Sequence, residues 1–365
     1  MPSLPLPLDQ IIQGDCLEVL QTLPENSIDL IFADPPYNLQ LKQELWRPDN
    51  THVDRVDDEW DRFASFADYD AFTHAWLSAC QRVLKETGTI WVIGTYHNIF
   101  RVGTAMQDLG YWILNDVVWL KSNPMPNFRG VRFTNAHETL IWAQKKRGVP
   151  HTFNHYSMKA LNDDLQMRSD WFLPLCTGQE RIRINGTKAH STQKPEALLY
   201  RVLLASSNPG DIVLDPFFGS GTTGAVAKKL SRHWIGIERD PGYIEIARNR
   251  LAQIPELSAP PEVYLPESKR RKPRIPFGAL LESGLLQPGQ KLFFGEDQQA
   301  TATILANGHI RCLDQTGSIH QVAKAIQKSP CNGWEIWHYQ DEASGKRLPI
   351  DRLRQKVPQE GNHGS

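Results

Sequence analysis

Six short apolar runs in the first two thirds of the chain set the strongest constraint on its fold. They are Ile28–Ala33, Thr89–Ile93, Val117–Leu120, Glu138–Trp142, Asp211–Leu214 and Trp234–Ile237, each bounded by Gly, Pro, Asp or Asn. Runs this short are strands rather than helices, and their unbroken apolar character marks strands covered on both faces. Gln10–Gln13 is a further strand candidate. Between them lie helix-like segments. Asp70–Leu84 places Phe72, Ala75, Trp76, Ala79 and Val83 on one face, and Lys194–Ser206 and Gly221–Leu230 have similar character. Pro195 suits a first helical turn. Strands alternating with helices predict an α/β fold with a mainly parallel sheet. Ligands bind such a sheet at the carboxyl ends of its strands, so the residues following each run are the candidate functional residues.

Asp34-Pro35-Pro36-Tyr37 follows the run Ile28–Ala33 directly. The two prolines remove two N–H groups and stiffen the turn, which leaves the nearby carbonyls available as acceptors. A carboxylate, a carbonyl and an aromatic plane make a compact receptor for a planar amine. Asp34 and the Pro35 carbonyl can accept two hydrogens while Tyr37 stacks on the ring. The plain alternative is a proline-terminated strand with an incidental acid and aromatic.

A second motif, Asp215-Pro216-Phe217-Phe218-Gly219-Ser220-Gly221-Thr222-Thr223, joins the run Asp211–Leu214 to a helix. Gly219 and Gly221 permit a tight turn and close ligand approach. Glu238 ends the next strand, where an acid binds ribose hydroxyls. The loop lacks the Gly-Lys-Ser/Thr of a phosphate-binding loop, which points to a nucleoside ligand without phosphates; S-adenosylmethionine fits. Packing of a strand, a turn and a helix would need the same glycines. Gly14-Asp15-Cys16 ends the first strand candidate, and Asp15 either accepts from an adenine amino group or serves a turn. Within His190–Pro195, Thr192 and Lys194 border the cofactor, or a Ser or Thr ahead of Lys194-Pro195 simply caps the helix that follows.

Composition divides the chain. Pro255, Pro260, Pro261 and Pro266 precede the basic run Lys269–Arg274, a pattern of extended linkers. The expected organisation is therefore a main domain over 1–255, a linker over 256–276, a small α+β module over 277–358 and a tail over 359–365. Net charge is −1, but residues 1–100 hold 16 acidic and 6 basic side chains, 101–274 hold 16 and 25, and 275–365 hold 9 of each. That segregation suggests a polyanion partner or two solvated faces. If the former, Arg129, Arg132, Lys145–Arg147 and Lys269–Arg274 should share one surface. The five cysteines show no Cys-x-x-Cys spacing, so no metal site is expected and reduced thiols in a cytoplasmic protein fit best. No secretory signal or membrane-spanning run is expected.

Asp34–Tyr37 followed by Asp215–Gly221, the catalytic motif ahead of the cofactor motif, resembles the β group of DNA amino-methyltransferases. Asn38–Leu41, Trp91–Phe100, Lys121–Pro126 and Ser318–Trp337 resemble the cell-cycle-regulated adenine methyltransferases (CcrM) and restriction–modification enzymes acting on GANTC, so the resemblance spans nearly the whole chain. It implies a Rossmann-like S-adenosylmethionine-dependent methyltransferase fold, circularly permuted, with a small C-terminal α+β module. It further implies methyl transfer from S-adenosylmethionine to N6 of an adenine flipped out of double-stranded DNA within GANTC, by a homodimer and without metal.

Carried over, Asp34, Pro35, Pro36 and Tyr37 are catalytic. Asp15, Cys16, Asp34, Thr192, Lys194, Asp215, Phe217, Gly219, Ser220, Gly221, Thr222 and Glu238 surround the cofactor. Asp at position 34 favours adenine; cytosine-N4 enzymes usually carry Ser, and protein or RNA methyltransferases with a similar motif usually place the cofactor motif first. Lys121, Asn123, Arg129, Arg132 and Asn135 are expected on the DNA surface as base readers or as phosphate contacts. Leu39 and Leu41 are expected as apolar wedges in the duplex, or as a lid or dimer contact. In the tail module Ser318, Asn332 and Trp334 are expected to contact DNA, and Trp337 to lie in the core.

Overall fold

The computed structural model describes residues 6–39, 61–124, 126, 130–184, 187–188, 192–255, 261–264, 275–295, 300–329, 331–341 and 344–357. The chain separates into two compact units, residues 1–268 and 269–365. The division falls immediately before the basic run Lys269–Arg274, within the segment 256–276.

The first unit runs β1 (Gln10–Gln13), α1 (Cys16–Thr22), β2 (Ile28–Ala33), α2 (Phe66–Val83), β3 (Leu84–Gly94), α3 (Ile99–Asp108), β4 (Trp112–Lys121), β5 (His137–Gln144), α4 (His155–Ala160), β6 (Asp170–Leu173), β7 (Arg183–Ile184), β8 (Thr187–Lys188), α5 (Glu196–Ser206), β9 (Ile212–Asp215), α6 (Thr222–Lys229), β10 (His233–Glu238) and α7 (Pro241–Ala252). Eight strands form one sheet in the order β1-β10-β9-β2-β3-β5-β4-β6, and β7 and β8 form a separate hairpin. From β1 to β3 every pairing is parallel; β5 lies antiparallel between β3 and β4. Strand β6 is parallel to β4 and has no counterpart among the apolar runs, because only Trp171 and Leu173 of its four residues turn inward.

Each face of the sheet is covered. Trp76, Leu77 and Cys80 of α2 pack with Val102 and Met106 of α3 on one side. Leu198, Leu199 and Val202 of α5 pack with Val226 of α6 and Leu251 of α7 on the other. Burial on both faces explains why the strands read as continuous apolar runs. Helix α2 is rotated from the expected face: Tyr69, Thr73, Trp76, Leu77, Cys80 and Val83 are buried, and Ala75 is exposed. Tyr69 and Thr73 have polar tips, which an apolar count passes over, and both turn inward.

The second unit carries α8 (Gly278–Glu282), β11 (Lys291–Phe294), β12 (Thr301–Ile304), β13 (Ile310–Cys312), β14 (Gln315–Gly317), α9 (Ile319–Gln327), α10 (Gly333–Ile336), β15 (Trp337–Gln340), β16 (Arg347–Pro349) and a 3-10 turn at Ile350–Lys356. Its antiparallel sheet has the order β14-β13-β12-β11-β15-β16. Ser318 is the N-cap of α9: its side chain accepts from Gln321 N–H, and the Gln321 side chain accepts from the Ser318 N–H. Asn332 is exposed and caps α10. Trp337 is fully buried, with its indole N–H donating to the Ile319 carbonyl. Trp334 is a correction: it is 6% exposed, lies in the same core against Phe277, and carries the Arg354 guanidinium over its ring. A ring so enclosed has no face to offer a base.

Candidate active site

Parallel pairing puts the ends of β1, β2, β3, β9 and β10 at one edge of the sheet, and the antiparallel β5 begins there. Both motifs therefore meet, since β2 and β9 are neighbours. Beyond that edge lies a cavity of about 800 Å³, lined by the segments after β1 (Asp15, Cys16), β2 (Asp34, Pro36) and β9 (Asp215, Phe217, Gly219, Ser220, Thr222), by Thr192 and Lys194, and by Glu238. Of the residues expected around a cofactor, Gly221 alone does not line it. At φ +77° it is the N-cap of α6, and a Cβ there would come 3.0 Å from that of Ala247. Arg62, Phe72, Arg239 and Tyr243 line the cavity too, and no motif pointed to them.

The loop after β9 is built by its own side chains. Glu238 Oε2 accepts the Gly219 N–H at 2.8 Å, and Oε1 accepts from Arg239 and Asp240. Asp215 accepts the Phe217 N–H and the Thr223 hydroxyl, and burial pushes its carboxyl up to about 7. Asp15 caps α1 by accepting from Leu17 N–H. Burial pushes the Cys16 thiol up to about 12, so it is no nucleophile. The Ser/Thr capping expected ahead of α5 is absent at its N-cap, Pro195, which has no side-chain cap; the Glu180 carboxylate accepts the Glu196 N–H instead.

Four buried charges surround the catalytic motif. Lys194 Nζ lies 2.6 Å from Asp34 Oδ2 and 5.2 Å from the centre of the Tyr37 ring. The Tyr37 hydroxyl donates to Glu138 Oε2 at 3.1 Å, and Glu138 Oε1 meets Lys121 Nζ at 2.9 Å. Burial raises the Asp34 carboxyl above the usual carboxylate range, against the opposing pull of Lys194. Burial also acts to raise Glu138, but Lys194 and Lys121 outweigh it and hold that carboxyl low. Burial works against the Lys194 charge, and the Asp34 and Glu138 carboxylates more than restore it. Asp34 Oδ1 is buried without a hydrogen-bond partner.

The backbone of the motif is fixed from outside. Asp61 accepts the N–H groups of Tyr37, Asn38 and Leu39 at 2.5, 2.8 and 3.0 Å, and Asn38 between them is left-handed at φ +54°. Successive N–H groups converging on one carboxylate form an anion-binding nest. The Tyr69 hydroxyl donates to the Pro36 carbonyl. Nothing in the local sequence connects Asp61, Tyr69 or Glu138 to the motif; only the fold does.

The expected DNA residues separate. Lys121 is a correction: its side chain is 10% exposed and committed to Glu138, so it does not present itself to a duplex. Arg132 and Asn135 are exposed on the β4–β5 connection at the site edge, with the Arg132 guanidinium over the Tyr96 ring. Asn123 is exposed, and its side-chain oxygen accepts the Leu175 N–H. Leu39 is half-buried. Leu41, Arg129 and the run Lys269–Arg274 lie outside the described residues. Lys145 to Arg147 follow the far end of β5, away from the site edge, with Lys145 paired to Glu86 and Arg147 over Trp112. The expected single basic surface therefore fails for these three residues. An antiparallel strand carries its two ends to opposite edges.

The DNA methylase family matches residues 28–249, and the family described as Restriction Enzyme Adenine Methylase Associated matches residues 260–362. The chain belongs to the DNA methylase family. It is 50% identical over 333 residues to the Type II methyltransferase M.HinfI of Haemophilus influenzae, covering 91% of this chain and 92% of the relative. The Type II methyltransferase M2.MboI of Moraxella bovis is 41% identical over 245 residues, 67% of this chain and 88% of the relative. Among solved structures, M1.HpyAVI in its SAM complex aligns with a TM-score of 0.50 and 27% identity, covering 66% of this chain and 98% of that one. The PvuII cytosine-N4-specific DNA methyltransferase shares the fold, with a TM-score of 0.53 at 24% identity over 70% of this chain and 89% of that one.

The chain is thus a DNA methyltransferase that uses S-adenosylmethionine. The cavity suits that cofactor: a carboxylate ends β10, five acidic side chains line the space, and the loop after β9 has no phosphate-binding lysine. Among the described residues no cluster suited to a metal occurs, and no helix is long and apolar enough to cross a membrane.

Proposed function

We propose that this enzyme methylates N6 of an adenine extruded from duplex DNA within GANTC, with Asp34 and Pro35 holding the amino group and Tyr37 stacking on the base. One observation carries the reading: the buried, partnerless Oδ1 of Asp34, an acceptor beside an aromatic ring at the cofactor cavity. Buried acceptors without partners demand explanation, and an exocyclic amine supplies the missing donor. S-adenosylmethionine, when bound, supplies an activated methyl, so no nucleophilic side chain is needed. Asp15, Cys16, Thr192, Lys194, Asp215, Phe217, Gly219, Ser220, Thr222 and Glu238 hold it, with Glu238 on the ribose hydroxyls, while Gly221 shapes the turn into the helix behind them. Lys194 keeps Asp34 ionised and therefore an acceptor. Extrusion costs roughly a few kcal/mol, and stacking on Tyr37 offsets part of it. Precise placement of the amine supplies most of the acceleration.

Residues 1–255 serve as the methyltransferase domain, 256–276 as a basic linker and 277–358 as a DNA-binding module. Arg132 and Asn135, with Asn123 and Arg129, read or position the duplex; Leu39 and Leu41 part the strands; Ser318 and Asn332 face DNA from the module. The enzyme acts as a homodimer in the cytoplasm. Its Type II relatives favour a modification role, and the cell-cycle alternative rests on motif resemblance alone. Labelled S-adenosylmethionine offered with duplexes containing GANTC, GATC or neither tests the reading, followed by nucleoside analysis of the product. N6-methyladenine in the GANTC duplex alone is expected, and none with Asp34→Ala. Equal labelling of all three duplexes refutes the specificity, N4-methylcytosine the base, and an active Asp34→Ala the role of Asp34.

A further inference from the structure

Glu138 stands 101 positions beyond Tyr37 in the chain, yet it is 8% exposed and shares a hydrogen bond with that ring's hydroxyl. It does not line the cofactor cavity. Its other oxygen is held by Lys121, whose side chain is equally enclosed. Tyr37 is consequently fixed at both ends: its N–H is bound by Asp61 and its hydroxyl by Glu138. An aromatic ring with both ends pinned loses the χ freedom that would let it tilt. A carboxylate suits the position because two lysines flank it; with Asp34 it balances Lys194 and Lys121 to zero. A buried charge left unmatched would be costly.

We infer that Glu138 is a positioning residue for methyl transfer, anchored by Lys121, which sets the plane of the Tyr37 ring against which the target base stacks. This rests on the stacking role proposed for Tyr37. The residue does not line the cofactor cavity; its removal acts on the chemical step through the Tyr37 ring and through the charge balance it shares with Asp34 and Lys194.

The test uses the full-length enzyme with S-adenosylmethionine and a duplex carrying 2-aminopurine in place of the target adenine for fluorescence, and adenine for rates. Tyr37→Phe keeps the ring and removes the anchored hydroxyl; Glu138→Ala removes the anchor. Each is expected to lower kcat roughly ten- to a hundredfold, the effect of losing a hydrogen bond to a charged group. The double variant should be no slower than the slower single variant, and the KM for cofactor should stay where it is. Fluorescence of the bound probe should rise in Glu138→Ala, because the extruded base loses its stacking partner. Glu138→Gln keeps an acceptor for the Tyr37 hydroxyl and the packing but leaves the two lysines one negative charge short, so it should recover the quenching and only part of the rate, even if Glu138→Ala folds poorly. Multiplicative losses in the double variant, or no recovery of the quenching in Glu138→Gln, overturn the inference. Tyr37→Ala separates the two levels. If it is impaired while Glu138→Ala behaves as wild type, only the inference falls. If Tyr37→Ala itself keeps rate and quenching, the stacking role falls and the inference with it.

Discussion

Replacing Lys194 by Met isolates the electrostatic task of the catalytic pair. The ammonium lies 2.6 Å from Asp34 Oδ2, with the two side chains 9% and 18% exposed. Without it, Asp34 is a buried carboxylate whose other oxygen already has no partner. Losing one member of such a pair costs about 3–5 kcal/mol for as long as the remaining charge persists. Taking up a proton relieves that cost. Burial already holds Asp34 above the usual carboxylate range, and Lys194 is the main opposing influence. Its removal must therefore raise Asp34 further. The protonated carboxyl is a donor where the amine needs an acceptor, so the rate near neutral pH should fall roughly a hundredfold or more. It should recover as pH rises, because the acceptor form returns. The acid limb of the kcat profile thus moves to higher pH in Lys194→Met, whereas Lys194→Arg keeps the cation and the wild-type limb. The assay is single-turnover transfer of a labelled methyl group into duplex DNA from about pH 5.5 to 9.5. Cofactor is kept saturating because Lys194 lines its cavity. A slow Lys194→Met enzyme with an unmoved acid limb refutes the reasoning.

Asp61→Asn loses the charge that gathers three N–H groups of the catalytic turn; kcat should fall about tenfold with cofactor affinity by calorimetry unchanged, and matched losses in both would refute a role confined to the turn. The Asp215 carboxyl, at about 7, is raised above its unfolded value, so its contribution to stability is complete below the unfolded value and disappears as pH rises through 7. Asp215→Asn should therefore gain in Tm relative to wild type between about pH 5 and pH 8, and a constant difference would count against this. Trp334→Ala should destabilise the C-terminal unit by about 3–5 kcal/mol, seen as faster proteolysis of residues 269–365; intact stability with lost DNA affinity would return Trp334 to the surface.

Much of the first unit was legible because its signals are local. Strands covered on both faces read as short apolar runs, and a tight turn at a strand end must use proline or glycine. Asp34–Tyr37 and Asp215–Gly221 accordingly stood out before any fold was known. Strand β6 did not, since only two of its four residues face inward. The face of α2 was misjudged because the hydroxyl tips of Tyr69 and Thr73 read as polar. In the tail, Trp334 and Trp337 are three residues apart and both buried, and nothing in their local sequence marks Trp334 as a core residue. The run Lys145–Arg147 counted toward a basic surface until the direction of β5 carried it to the other edge.

By itself, then, the sequence determined the class of fold, the two motifs and the acid that ends β10, since each depends on residues within a few positions of one another. It did not determine which buried groups would complete the site. Glu138 reads as the first residue of an apolar run, Lys121 as a DNA contact, and Asp61 as one acid among several. The tertiary structure decided their roles, because the antiparallel β5 and the return of the chain at Asp61 bring them to Tyr37 from 101 and 24 positions away. Inside that dry space a charge must find an opposite charge or a donor, and the pairs it forms are set by distance in the fold, which spacing along the chain does not encode.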